Sequence, residues 1–430
     1  MATLPTSAAV PAQDSLPAPA PASAPPSSAA PDPAQSRPRT GSRRVAELGH
    51  NYFDHLDALI AQARRHHDDV IDLSKGNPDL ATPEHIVRAA RQAVADPHNH
   101  AYPPFLARKS VREAIAAAYR RDHGVELDPD TQVTAFHGAH EALVALPWAL
   151  LESGETMVVP DPCYPPYLDV ARLAGVGVER IALEESLGYQ PDPGALSDAL
   201  SHAGLLLLNY PNNPTGAVAT PQSWERILDA TGTGGTLVVN DFAYSSLDFT
   251  REPAASLLAS AGERAGVLEI STLSKTYSMA GWRLGYAVGD ADAIGALKAY
   301  QSVAFSTIFG AVQDAAEAAL SGDQACVARI AQTYRRRRGA VVRGLRDQGW
   351  HVADTAGTFF VWVRARGTRS GGELAQRLLE EAHVAVAPGE GFGVQGRGWF
   401  RLSLVHDDAT LAEALRRLGE WAHAREGRKP

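Results

Sequence analysis

Short apolar runs that alternate with helix-like stretches restrict the fold of this 430-residue chain more than any other feature. The runs are bounded by Gly, Pro, Asn or Asp, and continuous apolar runs of this length are typical of strands buried on both faces. They are residues 131–136, 155–162, 205–209, 235–241, 267–272 and 285–289. Helical stretches such as 140–153 and 221–231 lie between them. The alternation predicts an α/β fold with a large, mostly parallel sheet flanked by helices.

After about residue 290 the pattern changes and indicates a second, smaller α/β unit. A helical region extends to about residue 349, followed by strand-like runs at 358–365 and 399–405 and by helices at 372–382 and 408–424. We therefore predict a large domain at 71–300, a small C-terminal domain at 301–430, and an N-terminal arm at 41–70 that packs with the small domain.

Residues 1–40 differ from the rest, because 27 of these 40 positions are Ala, Pro or Ser. This composition has few backbone donors and little apolar surface to bury, so we predict a disordered tail. The first 36 residues contain no Lys or Arg. A secretory signal peptide, which needs a basic start and then an apolar run, is not predicted.

The composition also argues against several classes of protein. The chain has 40 Lys plus Arg against 49 Asp plus Glu, a net charge of −9, which disfavours general nucleic-acid binding. Its two cysteines exclude a disulfide scaffold and suit a reducing cytoplasm. No run approaches the ~20 apolar residues that span a bilayer. We expect a cytoplasmic protein without nucleic-acid, membrane or metal partners, and we interpret the arginine run 335–338 as a solvated helix face.

Chemically versatile side chains follow the predicted strands at their carboxyl ends, where ligands of open parallel sheets bind. These residues are Tyr164 after 155–162, Asn213 after 205–209, Asp241 and Tyr244 after 235–241, and Thr272, Ser274 and Lys275 after 267–272. The strand at 131–136 is followed by a helix that opens near Ala139 and His140. All of these groups are expected to face one crevice.

This set of groups matches the chemistry of pyridoxal 5′-phosphate (PLP). A helix N-terminus, the hydroxyls of Thr272 and Ser274, and the guanidinium of Arg283 suit a phosphate. A lysine with a lowered pKa attacks a carbonyl, an aspartate holds a proton on a ring nitrogen, and an aromatic side chain stacks on a ring. We therefore predict PLP as the cofactor.

From about residue 45 to its end, the chain resembles the PLP-dependent aminotransferases of fold type I, class I/II. The resemblance is carried, in the family's order, by PDPCYPPY (160–167), NYPNNPTG (209–216), NDFAYSSL (240–247), STLSKTYSMAGWRLGYAVG (271–289) and FRLSLV (400–405). The segments KGNPDLATPEHI, KAYQSVAFSTI and PGEGFG most resemble the bacterial alanine (glutamate–pyruvate) and LL-diaminopimelate aminotransferase branch.

The resemblance implies a role for each matching residue. Lys275 would hold PLP as an aldimine and move the substrate's Cα proton, and Asp241 would pair with the ring nitrogen. The other implied cofactor contacts are Asn213 and Tyr244 at the phenolic oxygen, Tyr164 on the ring face, and Ala139, His140, Thr272, Ser274 and Arg283 at the phosphate. The substrate would be bound by Arg401, Gly76 and Asn213. Tyr102 would reach the phosphate of the neighbouring subunit in a homodimer.

The implied reaction moves an amino group from an L-amino acid to a 2-oxo acid, with pyruvate or 2-oxoglutarate as acceptor. Two other kinds of PLP enzyme use the same set of residues and stay alternatives: a carbon–sulfur lyase, and an amino-acid oxidase or cyclase. A PLP-sensing regulator is disfavoured, because an Ala/Pro-rich tail cannot fold into a DNA-binding module.

Two positions depart from the family pattern. Ala107 stands where a glycine is usual, and Phe242 stands where an acidic residue is common. We expect both to lie beside the substrate or the subunit boundary.

Overall fold

A seven-stranded sheet forms the centre of the computed structural model, which describes residues 41–46, 48, 52–232, 235–251 and 253–426. The strands of the described chain are β1 (Ile71–Asp72), β2 (Val133–Phe136), β3 (Thr156–Asp161), β4 (Gly177–Ala182), β5 (Leu205–Leu208), β6 (Leu237–Asp241), β7 (Val267–Thr272), β8 (Gly285–Gly289), β9 (Phe360–Arg364), β10 (Val384–Ala385), β11 (Ala387–Pro388) and β12 (Trp399–Ser403). The central sheet has the order β2–β8–β7–β6–β5–β3–β4. Its pairs are parallel except those of β8, which runs antiparallel to β2 and β7. The predicted mostly parallel sheet is confirmed.

Helices cover both faces of this sheet, whereas α13, α14 and α15 pack against β9 and β12. The helices of the described chain are α1 (Arg43–Ala46), α2 (Tyr52–Ala63), α3 (Glu84–Ala95), α4 (Lys109–His123), α5 (Ala139–Leu150), α6 (Pro166–Ala174), α7 (Pro193–Leu200), α8 (Pro221–Thr231), α9 (Leu257–Ala261), α10 (Leu273–Thr276), α11 (Ala291–Ala304), α12 (Gly310–Ser321), α13 (Ala325–Asp347), α14 (Gly371–Ala382) and α15 (Asp408–Glu426). Leu205 and Leu207 of β5 pack in one core with α5, α6 and α11, whereas Leu206 and Leu208 pack in another with α7 and α8. Successive strand side chains point to opposite faces, so a continuous apolar run fills both cores.

One strand of the central sheet was not predicted. In β4, at the sheet edge, only Ile181 is buried. By contrast, every residue of β2, β5, β7 and β8 is buried. β2 lies at the other edge, but α4 and α11 pack against it. β4 lies largely outside the core, so its sequence has no continuous apolar run that would reveal it.

The C-terminal part contains a smaller sheet, as predicted. β12 lies between β11 and β9 and is antiparallel to both. β1 and β10 form a separate, parallel two-stranded sheet. The Ser403 N–H group of β12 donates to the Leu73 carbonyl at 2.8 Å, which places the segment just before Ser74 beside the smaller sheet. The division into an arm at 41–70, a large domain at 71–300 and a small domain at 301–430 stays a prediction.

The chain separates into residues 1–42 and Arg43–Pro430. Of the first unit only Gly41 and Ser42 are described, so the predicted tail at 1–40 lies outside the described residues. Among the described helices, none combines the length and the apolar character that crossing a membrane requires.

The arginine run 335–338 is not a uniformly solvated face, so that interpretation was wrong for part of the run. Arg335 and Arg336 are exposed, but Arg337 is buried and donates to both carboxylate oxygens of Asp79, at 2.8 and 2.9 Å. Four consecutive helical residues span a full turn, so at least one must face inward.

Neither Ala107 nor Phe242 lines the substrate cavity described below, and their expected place at the subunit boundary stays a prediction. Phe242 is fully buried, with its ring 5.5 Å from that of His123. Ala107 is also buried, and its backbone φ of +63° explains why a glycine suits this position.

The left-handed backbone of Ala107 generates a prediction about stability. A side chain in this conformation costs roughly 1–2 kcal/mol, which glycine avoids. We therefore expect Ala107→Gly to be less destabilising than Ala116→Gly, a similarly buried alanine in α4, by about 1–2 kcal/mol. The midpoints of urea unfolding of the two variants test this. Equal losses would show that Ala107 carries no backbone strain.

Candidate active site

A cavity of about 400 Å³ brings together the predicted site residues. All of them except Tyr102 line it: Gly76, Ala139, His140, Tyr164, Asn213, Asp241, Tyr244, Thr272, Ser274, Lys275, Arg283 and Arg401. Most of them follow the carboxyl ends of β3, β5, β6 and β7, as expected for ligand sites in parallel sheets.

One end of the cavity carries groups suited to an anion. Ala139 is the first residue of α5, so its backbone N–H group belongs to a helix N-terminus. Glycine suits the position just before it, because Gly138 has a backbone φ of +85°, which other residues rarely adopt, and a Cβ there would also lie 2.5 Å from a nitrogen of Arg283. Thr272 Oγ1 lies 2.8 Å from Ser274 Oγ, and both hydroxyls are buried against the cavity. The helix end, a guanidinium and two hydroxyls thus converge.

His140 is the second residue of α5, and its ring supplies no positive charge to this end of the cavity. Burial, and then the nearby Arg283 guanidinium, lower the pKa of the His140 imidazole. A ring that stays neutral adds no cation to the anion site.

Asp241 is a carboxylate deep in the structure. Burial raises its pKa to about 6, although a hydrogen bond from Tyr167 and the Ala243 N–H group oppose this rise. The Tyr167 hydroxyl donates to Asp241 Oδ2 at 2.6 Å, and the Asn209 amide donates to the Asp241 carbonyl at 2.6 Å. The carboxylate therefore has a fixed orientation and a strong need for a cationic partner.

Lys275 lies in α10, the short helix that follows β7. Burial, followed by repulsion from Arg283, lowers the pKa of its ammonium group to about 8, whereas Asp241 acts in the opposite direction. Its Nζ lies 5.7 Å from the centre of the Phe359 ring. An amine with this pKa loses its proton readily near neutral pH and can act as a nucleophile or a base.

Arg401 is a buried cation on β12. It donates to Asn213 Oδ1 and to the Ser74 carbonyl, both at 2.7 Å, and its guanidinium lies 3.9 Å from the centre of the Phe360 ring. Burial lowers its pKa to about 10, so it stays charged at neutral pH. Gly76 lies nearby, and a Cβ there would come within 2.6 Å of Phe360. A guanidinium in a cavity suits a carboxylate ligand.

Two tyrosines complete the wall. Tyr164 packs edge-on against Tyr167, with ring centres 5.6 Å apart, and Tyr244 packs against Phe359 at 5.4 Å. Burial raises the pKa of both hydroxyls, so both stay protonated and can donate a hydrogen bond.

The donor set fits PLP. An anion site for a phosphate, a buried carboxylate for a protonated ring nitrogen and an amine of lowered pKa for an aldehyde line one cavity. The predicted cofactor is therefore compatible with the residues present.

Tyr102 lies outside this cavity. Its side chain is 93% exposed, so it makes no contribution to the site of its own chain in the structure.

Several wall residues were not assigned a role from the sequence. They are Asp57, Ser74, Lys75, Leu143, Tyr167, Asn209, Ala243 and Phe360. Asn209 and Tyr167 follow predicted strands, so the rule that found Asn213 and Tyr164 also points to them. Asp57 and Lys75 have no such local signal, because they precede the central sheet in the sequence.

A second cluster of ligand-type side chains lies at the surface. Ligand atoms of His67, Asp69 and His383 lie within 4.8 Å of one another. Asp69 already pairs with His383 at 2.8 Å and with Arg417 at 3.1 Å. We interpret the cluster as an ion-pair network, because the guanidinium supplies the positive charge that a metal would bring.

Comparisons with known proteins agree with this chemistry. The family model for aminotransferase class I and II matches residues 68–418. An L-glutamine–4-(methylsulfanyl)-2-oxobutanoate aminotransferase of Bacillus subtilis is 41% identical over 380 residues, which cover 88% of this chain and 96% of that protein. An LL-diaminopimelate aminotransferase of Desulforudis audaxviator is 39% identical over 378 residues, with coverages of 88% and 96%.

A solved structure shows the same fold. Substrate-bound BacF of Bacillus subtilis, a transaminase, superposes with a TM-score of 0.83 at 35% identity and covers 89% of this chain and 98% of its own. These matches support transamination over the carbon–sulfur lyase, oxidase or cyclase alternatives.

The contact between Tyr167 and Asp241 generates a prediction about pH. The tyrosine hydroxyl holds the pKa of Asp241 down, so Tyr167→Phe should raise that pKa. The carboxylate then forms only at higher pH, and the acid limb of the kcat/KM profile should move up. Loss of a hydrogen bond to a charged group, about 1.5–3 kcal/mol, should also weaken cofactor binding about tenfold or more.

Tyr210→Phe is the matched control. Tyr210 is equally buried and donates to the Tyr189 carbonyl at 2.6 Å, but it does not line the cavity. An acid limb that stays in place in Tyr167→Phe would show that this tyrosine does not tune Asp241.

Proposed function

The chain belongs to the class I and II aminotransferases, which use PLP, and we propose that Lys275, Asp241 and Arg401 carry out its transamination. The observation that carries the proposal is the position of Lys275, an amine with a pKa of about 8, on the wall that also holds an anion site and a buried guanidinium. The roles of these residues follow from the chemistry of each contact.

When bound, PLP supplies an aldehyde for the amino group and a protonated ring that withdraws electrons from the reacting carbon. Asp241 would hold the proton on the ring nitrogen, because a buried carboxylate favours an adjacent cation. Thr272, Ser274, Arg283 and the N–H groups of Ala139 and His140 would hold the phosphate. Asn213 and Tyr244 would donate to the phenolic oxygen, and Tyr164 would cover the ring.

Lys275 would move the proton of the substrate. Its lowered pKa means that Nζ is readily available as a neutral amine, which can take the proton from the substrate's Cα. Lys275 loses its charge at little cost, because burial already disfavours the ammonium form.

Arg401 would bind the substrate's α-carboxylate, with support from Asn213 and from the backbone at Gly76. A buried guanidinium and a carboxylate neutralise each other, and their hydrogen bonds fix the orientation of Cα. An L-amino acid and a 2-oxo acid share this carboxylate, so one arginine serves both halves of the reaction.

The donor and acceptor are proposed by analogy. The relatives named above act on L-glutamine and on LL-diaminopimelate. We propose an L-amino acid donor and pyruvate or 2-oxoglutarate as acceptor. A screen of amino donors against both acceptors, with detection of each 2-oxo acid product, tests this.

We also propose a cytoplasmic homodimer in which Tyr102 binds the phosphate held by the partner subunit. The exposure of Tyr102, 93%, and its position outside its own cavity support this arrangement. Both cysteines, Cys163 and Cys326, are buried free thiols, which supports a reducing compartment.

Lys275→Ala tests the central role. The variant should fold and keep noncovalent contacts to PLP, but borohydride should no longer fix the cofactor to the chain. Turnover should fall by more than the ~10²–10⁴ expected for a lost general base, because the covalent link is also lost. Lys298→Ala is the control, since Lys298 donates to the Asp130 carbonyl outside the cavity. Near-normal turnover in Lys275→Ala would refute the role.

Hybrid dimers test the assignment of Tyr102. Tyr102→Phe should weaken cofactor binding, by about 0.5–1.5 kcal/mol for one hydrogen bond and more if it is to a charged phosphate. In a hybrid of a Lys275→Ala chain and a Tyr102→Phe chain, the site with Lys275 receives Tyr102 from the other chain. Activity at limiting PLP should then match that of a wild-type site. If the hybrid instead shows the same weakened PLP binding as the Tyr102→Phe homodimer, Tyr102 belongs to the site of its own subunit.

A further inference from the structure

An ion pair with no assigned role lines the active-site cavity. Lys75 Nζ lies 2.9 Å from Asp57 Oδ1, and the two side chains are 53% and 48% exposed. Neither residue belongs to the set that would hold PLP. Exposed ion pairs contribute little to stability, so substitutions in this pair should leave the fold intact and report on its effect at the cavity.

The pair is held in place by its surroundings. Leu56 and Ile60 are buried and anchor α2 to the core, so Asp57 projects from a fixed helix. On the other side, the Ser74 carbonyl accepts a hydrogen bond from Arg401 at 2.7 Å. Lys75 follows Ser74 directly, so it lies one peptide bond from a group that contacts the carboxylate-binding arginine.

This position suits the side chain of the substrate. The donor's carboxylate would lie at Arg401, so groups beside Arg401 contact what extends from Cα. This step rests on the proposed function, because it takes Arg401 as the carboxylate ligand. Lys75 and Asp57 are then the charged side chains on the cavity wall that are needed neither for PLP nor for the α-carboxylate.

The pair offers a donor and an acceptor side by side. An ammonium group has three donors and a carboxylate has two acceptor oxygens, and within the described residues the pair uses only one of each. The remaining capacity consists of N–H donors on Lys75 and an acceptor oxygen on Asp57.

We propose that Lys75 and Asp57 together recognise a terminal carboxamide on the amino donor, as in L-glutamine. The amide oxygen accepts from Lys75, and the amide NH₂ group donates to Asp57. The pair carries no net charge, so a neutral group that both donates and accepts matches it best. A carboxylate is attracted by Lys75 but repelled by Asp57, and a hydrocarbon leaves both groups desolvated.

Three donors of similar length test the proposal. L-Glutamine, L-glutamate and L-methionine are compared by kcat/KM in the holoenzyme, and L-glutamine should be preferred. Lys75→Met should lower the ratio of glutamine to methionine by about tenfold, the loss expected for a charge-assisted hydrogen bond. Asp57→Asn leaves Lys75 without a neutralising partner, so the ratio of glutamate to glutamine should rise.

A matched pair elsewhere serves as control. Arg264 and Asp229 are 2.8 Å apart and 50% and 67% exposed, and neither lines the cavity. Arg264→Met and Asp229→Asn should leave all donor ratios unchanged. Ratios that also stay constant in Lys75→Met and Asp57→Asn would overturn the proposal, whereas absence of turnover with every donor would overturn the proposed function on which it rests.

Binding without turnover gives an independent measurement. 4-Carbamoylbutanoate carries one carboxylate and one carboxamide but no amine, so it cannot react. Calorimetry on the holoenzyme should show that it binds more tightly than hexanoate, and that Lys75→Met removes this difference. Equal affinities in the wild type would contradict recognition of the carboxamide even if the kinetic ratios changed.

Discussion

The buried guanidinium of Arg401 joins three parts of the chain that are distant in sequence. It extends from β12 of the smaller sheet, donates to Asn213 after β5 of the central sheet, and donates to the Ser74 carbonyl after β1. A cation without such partners would be costly at this depth, so these contacts hold the walls of the cavity in register. The same contacts place the Arg401 guanidinium on the cavity wall, where it can bind a carboxylate.

Burial is also the source of the reactivity of this site. It raises the pKa of Asp241 to about 6 and lowers that of Lys275 to about 8, so each group moves toward its neutral form. Hydrogen bonds from Tyr167 and from the Ala243 backbone oppose the shift of Asp241, which keeps a carboxylate available. Burial in the cavity wall therefore supplies an amine that can lose its proton beside a carboxylate that attracts one.

The sequence was sufficient to predict the central sheet and most of the site. The apolar runs at 205–209, 235–241 and 267–272 contain β5, β6 and β7. Polar residues that follow these runs line one cavity, as predicted. Prediction failed where the local sequence carries little information. The edge strand β4 has no apolar run, and nothing in the sequence around Arg337 shows that this arginine is buried against Asp79.

The sequence by itself determined which side chains follow the buried strands. It also determined that these side chains suit a phosphate, a ring and an aldehyde. This follows because strand ends in a parallel sheet meet at one edge, whatever the connections between them. Only the tertiary structure decided how Tyr167 and Asn209 hold Asp241, and that Asp57 and Lys75 form an ion pair on the cavity wall. Those contacts join segments far apart in the chain, and their partners are chosen by packing rather than by local pattern.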